Sequence, residues 1–372
     1  MNDPALVCGK GRRGCALYPS WLWFVCFALV GCGNPEKQAP IDLDAASQPA
    51  PSDFSAEDTL RDRQAEIADA YAAGKDGHFD GVAGVSIHYR AFPVEGELGA
   101  IVFVPGRTEP IRKHAETFLD LNSLGYSVYA IDPRGQGESE RMLDNSDIGY
   151  VEYFSDYVAD LETFVTKVVQ ARAPHEHLFL MAHSMGGAIS LMHVYKHPGR
   201  FDAVALSSPM IGVDTGAFPA GIAADLAITS CSAGNGEAYA PGQGDYEAEP
   251  FEGNDVSHSK VRYSLKQELY AAHPAIRLGG VSYRWLCEAF TADSHLVELG
   301  DESDTPTLIL EAGSDDVVLE DSEEHYCDAA PRCQRIVYPS AFHEIFSERD
   351  GIRNHALSRL VRFFDHFAKE QR

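Results

Sequence analysis

A serine hydroxyl becomes a useful nucleophile only when a base takes its proton and the backbone holds it exposed. Residues 177–190, HLFLMAHSMGGAIS, have the composition such a hydroxyl needs. An apolar run ends at His183, Ser184 follows, and Gly186 and Gly187 open an amphipathic stretch. This pattern predicts a strand turning sharply into a helix with Ser184 at the turn, where only small neighbours fit between strand and helix. Ala182 stands where such turns commonly carry glycine, and it is small enough to be tolerated. At a helix N-terminus, backbone N–H groups and the positive end of the helix dipole point at any oxyanion formed on Ser184. The plainer alternative is a serine that only shapes a turn.

Partners decide between the two readings. In strand–turn–serine–helix enzymes an acid and then a histidine follow the serine along the chain. Residues 306–318, PTLILEAGSDDVV, supply the acid at the end of a second apolar run. Asp315 is the expected triad acid, and Asp316 is the alternative. Downstream lie His325, His343, His355 and His366. His343, in YPSAFHEIFSE, follows a strand-like run and precedes a helical one, which is where a base can reach back to Ser184. The other three fall in helical patterns, and His183 reads as structural. Catalytic candidates are therefore Ser184, Asp315 and His343. The run IVFVPGRTEP offers the backbone N–H of Arg107 as an oxyanion donor, paired with that of Met185. The turn IDPRGQGES lacks the lysine of a phosphate loop and the third glycine of a dinucleotide fingerprint, so it reads as structural.

These residues need a rigid frame. Apolar, β-branched runs occur at VSIHYRAF, GAIVFVPG, SVYAID, HLFLMAHS, FDAVALSS, PTLILEAGS and QRIVYPS. Amphipathic helical patterns alternate with them. Continuous apolar strands between helices imply an α/β fold, with a mostly parallel central sheet covered by helices on both faces. Between residues 209 and 299 the strand rhythm stops. That span reads as a helical cap inserted over the carboxyl edge of the sheet, within a hydrolytic domain running over 56–372. Its Tyr263, Leu265, Leu269, Tyr270, Tyr283, Trp285, Leu286 and Phe290 either line an acyl channel or pack the cap onto the sheet.

Of 372 residues, 45% are hydrophobic, enough for a full core, and the net charge is −26. That charge argues against nucleic acid and against electrostatic docking on anionic membrane. Lys10, Arg12 and Arg13 precede the apolar run WLWFVCFALV, which is too short to span a bilayer and reads as an export signal over residues 1–31. Residues 32–55 are poor in large apolar side chains and read as a flexible tether. With three of the eight cysteines in the leader and a fourth at position 32, four remain for an oxidising compartment. The expected disulfides are Cys327–Cys333, across a proline turn, and Cys231–Cys287. A metal site on His325, Cys327 and Cys333 matches no standard spacing, and neither metal nor organic cofactor is implied.

The leader and the body both carry resemblances. LVGC resembles a bacterial lipoprotein processing box, which implies lipidation at Cys32. Gly33 then implies an outer-membrane anchor facing the periplasm. The motifs VPGRTEP, DPRGQGES, AHSMGGAI, ALSSPMIGV, GSDDVV, AFHEIFSERD and AHPAIRLGGVSYRWL resemble the α/β-hydrolase superfamily, close to its lysophospholipase L2 and monoacylglycerol lipase group (serine aminopeptidase S33-type hydrolases). The resemblance implies an α/β-hydrolase fold with a helical cap. It implies a serine esterase of lipid substrates, with Ser184, Asp315 and His343 as nucleophile, acid and base, and Arg107 and Met185 as oxyanion donors. Lysophospholipid is the expected substrate. Monoacylglycerol, a small ester, or a non-catalytic lipid- or protein-binding role are the alternatives. Pro105 departs from the histidine many relatives carry.

Overall fold

The structure is a computed structural model and describes residues 37–45, 48–172, 175–213 and 220–370. The leader and Cys32 lie outside the described residues. The strands are β1 Lys75–Asp80, β2 Ser86–Phe92, β3 Gly99–Val104, β4 Tyr126–Ile131, β5 Leu178–His183, β6 Ala203–Ser207, β7 Thr307–Ala312 and β8 Cys333–Tyr338. The helices are α1 Glu57–Leu60, α2 Gln64–Ala73, α3 Ala115–Ser123, α4 Phe154–Phe164, α5 Gln170–Arg172, α6 Met185–Lys196, α7 Ala220–Ser232, α8 Lys260–Ala272, α9 Tyr283–Leu299, α10 Glu320–Ala329 and α11 Asp350–Glu370.

The strands form one sheet in the order β1-β2-β4-β3-β5-β6-β7-β8, with β2 antiparallel to both its neighbours and every pair from β4 to β8 parallel. Alternate side chains leave opposite faces of a strand. In β3, Val102 and Val104 join a core beneath α4, α6 and α9, while Ile101 and Phe103 join a second core against α3 and α11. Burial on both faces is why these strands read as unbroken apolar runs. It also fixes their register, because a one-residue slip would exchange the two cores.

Two segments depart from the sequence reading. The first strand, KDGHFD, was not anticipated: it sits at the sheet edge, with exposed Lys75, Asp76 and Asp80, and has no apolar run to betray it. Residues 37–55, read as a flexible tether, instead lie along the domain where described. Leu43 and Phe54 are buried in the second core and Ile41 packs against it. Arg362 donates to the carbonyls of Leu43 and Pro49, and Ser55 donates to buried Asp120. A few separated apolar anchors and main-chain hydrogen bonds suffice to dock an extended segment, and composition averages them away.

Within 209–299 no named strand occurs among the described residues. The cap is built from α7, α8 and α9 with the loops joining them. Tyr270 Oη donates to the Thr108 carbonyl and Arg107 Nη1 to that of Gly279, so the cap is tied to the loop after β3. Cys327 and Cys333 form the expected disulfide. Cys231 and Cys287 do not: both are free thiols, hydrogen-bonded to each other between α7 and α9. Burial and the neighbouring Cys287 push the Cys231 thiol up to about 11, which favours its protonated form.

Candidate active site

β5 lies in the middle of the sheet and delivers Ser184 at its carboxyl end. Ser184 caps α6 with φ 51° and ψ −121°, a strained conformation for a residue with a Cβ. The surroundings over-determine it. Its N–H donates to Ser207 O at 3.0 Å, and its carbonyl accepts from Met210 at 3.0 Å and Gly187 at 2.8 Å. Glycine is required beside it, since a Cβ on Gly186 would stand 2.2 Å from the Val104 carbonyl oxygen. The helix therefore packs against β3 as closely as backbone allows.

Asp315 leaves β7 two strands away from β5, roughly 10 Å across the sheet. The imidazole of His343, on the loop after β8, fills that span. His343 Nδ1 is 2.7 Å from Asp315 Oδ2, and His343 Nε2 is 2.9 Å from Ser184 Oγ. The acid's other oxygen accepts from Val317 N at 2.8 Å and Val318 N at 3.2 Å, which fixes its orientation. Burial opposes its charge, but the His343 hydrogen bond prevails and holds Asp315 below the ordinary carboxylate range. Asp316 points to solvent, so of the two aspartates only Asp315 meets the histidine. The geometry lets His343 take the Ser184 proton while Asp315 fixes its tautomer and stabilises the imidazolium.

Met185 follows Ser184 as the first residue of α6, and Arg107 lies in the loop after β3; neither backbone N–H is spent on a backbone acceptor among the described residues. The loop is braced from two sides: Glu109 accepts from Gly106 N at 2.7 Å, and Gln136 Nε2 donates to Gly106 O at 2.8 Å. Gln136 belongs to the IDPRGQGES turn, whose Asp132 accepts from Ile111 N, Glu138 N and His88 Nδ1. That turn is structural, as its sequence implied. The Arg107 side chain, free of any assigned role in the sequence, reaches the cap and lies 5.8 Å over the Trp285 ring; burial lowers its guanidinium to about 10.

A second polar system, not foreseen, lies directly behind the base. His183 Nε2 donates to the carbonyl of His343 at 3.1 Å, and its Nδ1 is 2.7 Å from Glu109 Oε2. Lys113 is ion-paired with Glu109 and also with Glu344 at 2.8 Å, and Lys266 of α8 approaches Glu344 at 3.5 Å. Both ring nitrogens of His183 face acceptors, so the ring is a double donor. Burial works against that charge, but Glu109 outweighs it and holds His183 above the usual imidazole range. Burial would likewise raise Glu344, yet the two lysines bring it down to about 2. The signal was present in GRTEP and HEIFSE, but charges read from sequence default to solvent.

Of the cap's large apolar residues, Tyr263, Tyr270 and Trp285 are buried, and Tyr283 and Leu286 pack on the first core. They chiefly seat the cap. Leu265 and Leu269 line a cavity of about 360 Å³ between α8 and α2.

Similarity to known proteins accords with this site. The family model described as serine aminopeptidase, S33, matches residues 97–350. Lysophospholipase L2 of Escherichia coli (strain K12) is 34% identical over 307 residues, covering 80% of this chain and 90% of that protein. A monoacylglycerol lipase of Mycolicibacterium smegmatis is 28% identical over 286 residues, covering 73% and 90%. Among solved structures, a monoglyceride lipase from Saccharomyces cerevisiae superposes with TM-score 0.65 at 19% identity, covering 79% of this chain and 95% of that one. A carboxyl esterase from Bacillus coagulans gives 0.66 at 18% identity, covering 80% and 99%. At those identities the superpositions speak for the fold, whereas the family match and the 34% identity speak for descent, and on them the chain belongs to the serine aminopeptidase S33 family of α/β-hydrolases, alongside lysophospholipase L2.

Proposed function

We propose that this protein is a serine ester hydrolase that releases the fatty acid from lysophospholipids. The observation that carries the reading is the continuous Ser184–His343–Asp315 chain, with 2.9 Å and 2.7 Å links, in a relative of lysophospholipase L2 matched over 90% of its length. Ser184 Oγ attacks the ester carbonyl as His343 Nε2 takes its proton. The carbonyl oxygen gains the negative charge and accepts from the Arg107 and Met185 N–H groups. Collapse breaks the acyl–oxygen bond, His343 returns the proton to the departing glycerol oxygen, and an acyl-Ser184 ester remains. Water, deprotonated by the same imidazole, then frees the fatty acid and restores the serine.

Monoacylglycerol is the second reading, supported by the Mycolicibacterium lipase likeness. The experiment is a panel of lysophospholipids, monoacylglycerols and short-chain esters offered to the purified protein, with fatty-acid release as readout and fluorophosphonate labelling as the active-site control. The expected result is highest kcat/KM on lysophospholipid and no labelling of Ser184→Ala. Preference for monoacylglycerol or for short acyl chains would replace the substrate, and labelling of Ser184→Ala would remove the mechanism.

The leader supports a location. Lipidation at Cys32 after removal of residues 1–31 would anchor the enzyme in the bacterial outer membrane, facing the periplasm, beside single-chain lipids. Cys32→Ala should then move the protein from the membrane pellet to the soluble fraction without changing turnover in detergent micelles.

A further inference from the structure

The helix that begins at Ser184 ends, about 18 Å away by helical rise, in a cluster that the hydrolytic chemistry does not use. His193 lies in the last turn of α6 and His197 is the non-helical residue that caps the helix, with ring centroids 4.8 Å apart and planes inclined by 35°. Glu162 of α4 faces both. Its Oε2 lies 2.9 Å from His193 Nε2 and 3.9 Å from His197 Nδ1. One ligand atom from each of the three residues falls within a common 4.8 Å span. We propose that Glu162, His193 and His197 form a structural site for a divalent transition-metal ion, zinc above all, that staples α4 to the end of the nucleophile helix.

The distances fit such an ion. Zinc bonds of about 2.0–2.2 Å in tetrahedral geometry hold ligand atoms about 3.4 Å apart, and the 2.9 Å and 3.9 Å separations straddle that value. The helix cap turns the His197 ring toward that of His193, so both rings stand beside the one carboxylate. The carboxylate is already oriented: Arg200 Nη2 holds Oε1 at 2.5 Å, turning Oε2 to the imidazoles, as outer hydrogen bonds do in metal sites. His193 is buried, between α6 and the Glu162 carboxylate of α4. His197 and Glu162 are partly exposed, which leaves an entry path and a fourth position for water. His193 Nδ1 has no hydrogen-bond partner among the described residues. Lacking an outer acceptor costs about 10–100-fold in metal affinity, which sets the expectation at micromolar rather than nanomolar binding.

The other His–carboxylate cluster, Asp76, His88 and Glu138, differs where it matters. His88 has both nitrogens engaged, at 2.7 Å by Asp132 and 2.8 Å by Asp76, and those carboxylates overcome its burial and lift it to about 9. A protonated ring offers no lone pair.

The test is zinc titration of the full-length protein by calorimetry, cobalt substitution followed by visible absorption, and thermal unfolding with and without zinc. The expected result is one saturable micromolar site that His197→Ala and Glu162→Gln each weaken at least tenfold, with the strong d–d bands of four-coordinate cobalt. At about a hundredfold excess over Kd the melting temperature should rise by about 2–5 °C in the parent and not in His197→Ala. Asp76→Asn, in the other cluster, should bind as the parent does. Equal affinity in parent, His197→Ala and Glu162→Gln, or no saturable binding below millimolar zinc, overturns the proposal. So does loss of the site in Asp76→Asn.

Discussion

Two histidine–carboxylate pairs stand almost back to back at the carboxyl edge of the sheet, their rings 4.8 Å apart. His343 and Asp315 are 2.7 Å apart, and so are His183 and Glu109. The pairs differ in what the remaining nitrogen meets. His343 Nε2 faces a hydroxyl, from which it can take a proton and to which it can return one. His183 Nε2 faces a main-chain carbonyl, which only accepts, so that ring stays a double donor and shuttles nothing. Pairing with a carboxylate therefore does not make a histidine a base; the third partner does. One pair is built to change its charge during turnover and the other to keep it.

The largest expected effects break the first pair. Ser184→Ala or His343→Ala should lower kcat by about a millionfold, to the residue left by the oxyanion donors and binding. Asp315→Asn keeps the shape but presents the wrong hydrogen-bonding partner, and should cost about ten-thousandfold. Asp316→Asn, one position on and exposed, should leave kcat within twofold of the parent. Steady-state kinetics on all four variants measures this. Equal losses at 315 and 316 would contradict the assignment of the acid.

Breaking the second pair should look different. Glu109→Gln leaves Lys113 and protonated His183 buried beside a neutral amide, which costs about 3–5 kcal/mol in stability. Because Glu109 also accepts from Gly106 N, the variant loosens the oxyanion loop and the base loop together. We expect kcat to fall about 10–100-fold with KM little changed, the pattern of lost transition-state positioning. Urea unfolding and the KM-against-kcat split separate the two consequences. A variant that is destabilised but turns over normally would assign the pair to folding alone.

Much of this was legible in the chain. Ser184, Asp315 and His343 could be picked out because each sits just past a strand whose burial on both faces produces an unmistakable apolar run. The two aspartates at 315 and 316 were harder: a turn shows only in coordinates which carboxylate it aims inward. Glu109, Lys113, Glu344 and Lys266 were invisible as a group, since they come from three separate segments and single charges usually face water. Cys231 and Cys287 show the converse. Sequence parity placed them together correctly, but helices α7 and α9 hold them as neighbouring thiols rather than as a bond.

The second system should also respond to pH. Glu344, at about 2 when folded against 4.5 ordinarily, contributes stability above the ordinary value that is lost as pH falls toward 2. His183 is raised, so its contribution is complete below 6.5 and is lost as pH climbs through its raised value. Stability should therefore decline on the alkaline side. Glu109→Gln should flatten that alkaline decline, because it removes the carboxylate that keeps His183 charged. Denaturant midpoints measured across pH 5–9 test this (roughly the span in which imidazoles titrate). An unchanged alkaline slope in Glu109→Gln would mean that His183 is not the titrating group.

The smallest effect asks how far the second system reaches. Lys266 belongs to cap helix α8, while Glu344 immediately follows the base, so their contact joins the cap to the loop that carries His343. At 3.5 Å the ion pair is loose, and Glu344 keeps a closer partner in Lys113 at 2.8 Å. Burial also lowers Lys266 from its ordinary value, so part of its charge–charge gain is offset by desolvation. Lys266→Met keeps an apolar side chain but removes the ammonium, which lies 4.4 Å over the Tyr263 ring centre. The expected loss is under about 1 kcal/mol, with kcat within about twofold, because the carboxylate remains paired. A loss of several kcal/mol, or a fall in kcat matching Glu109→Gln, would show that the cap is coupled to the base through Glu344, and the boundary between the two systems would then have to be drawn on the far side of α8.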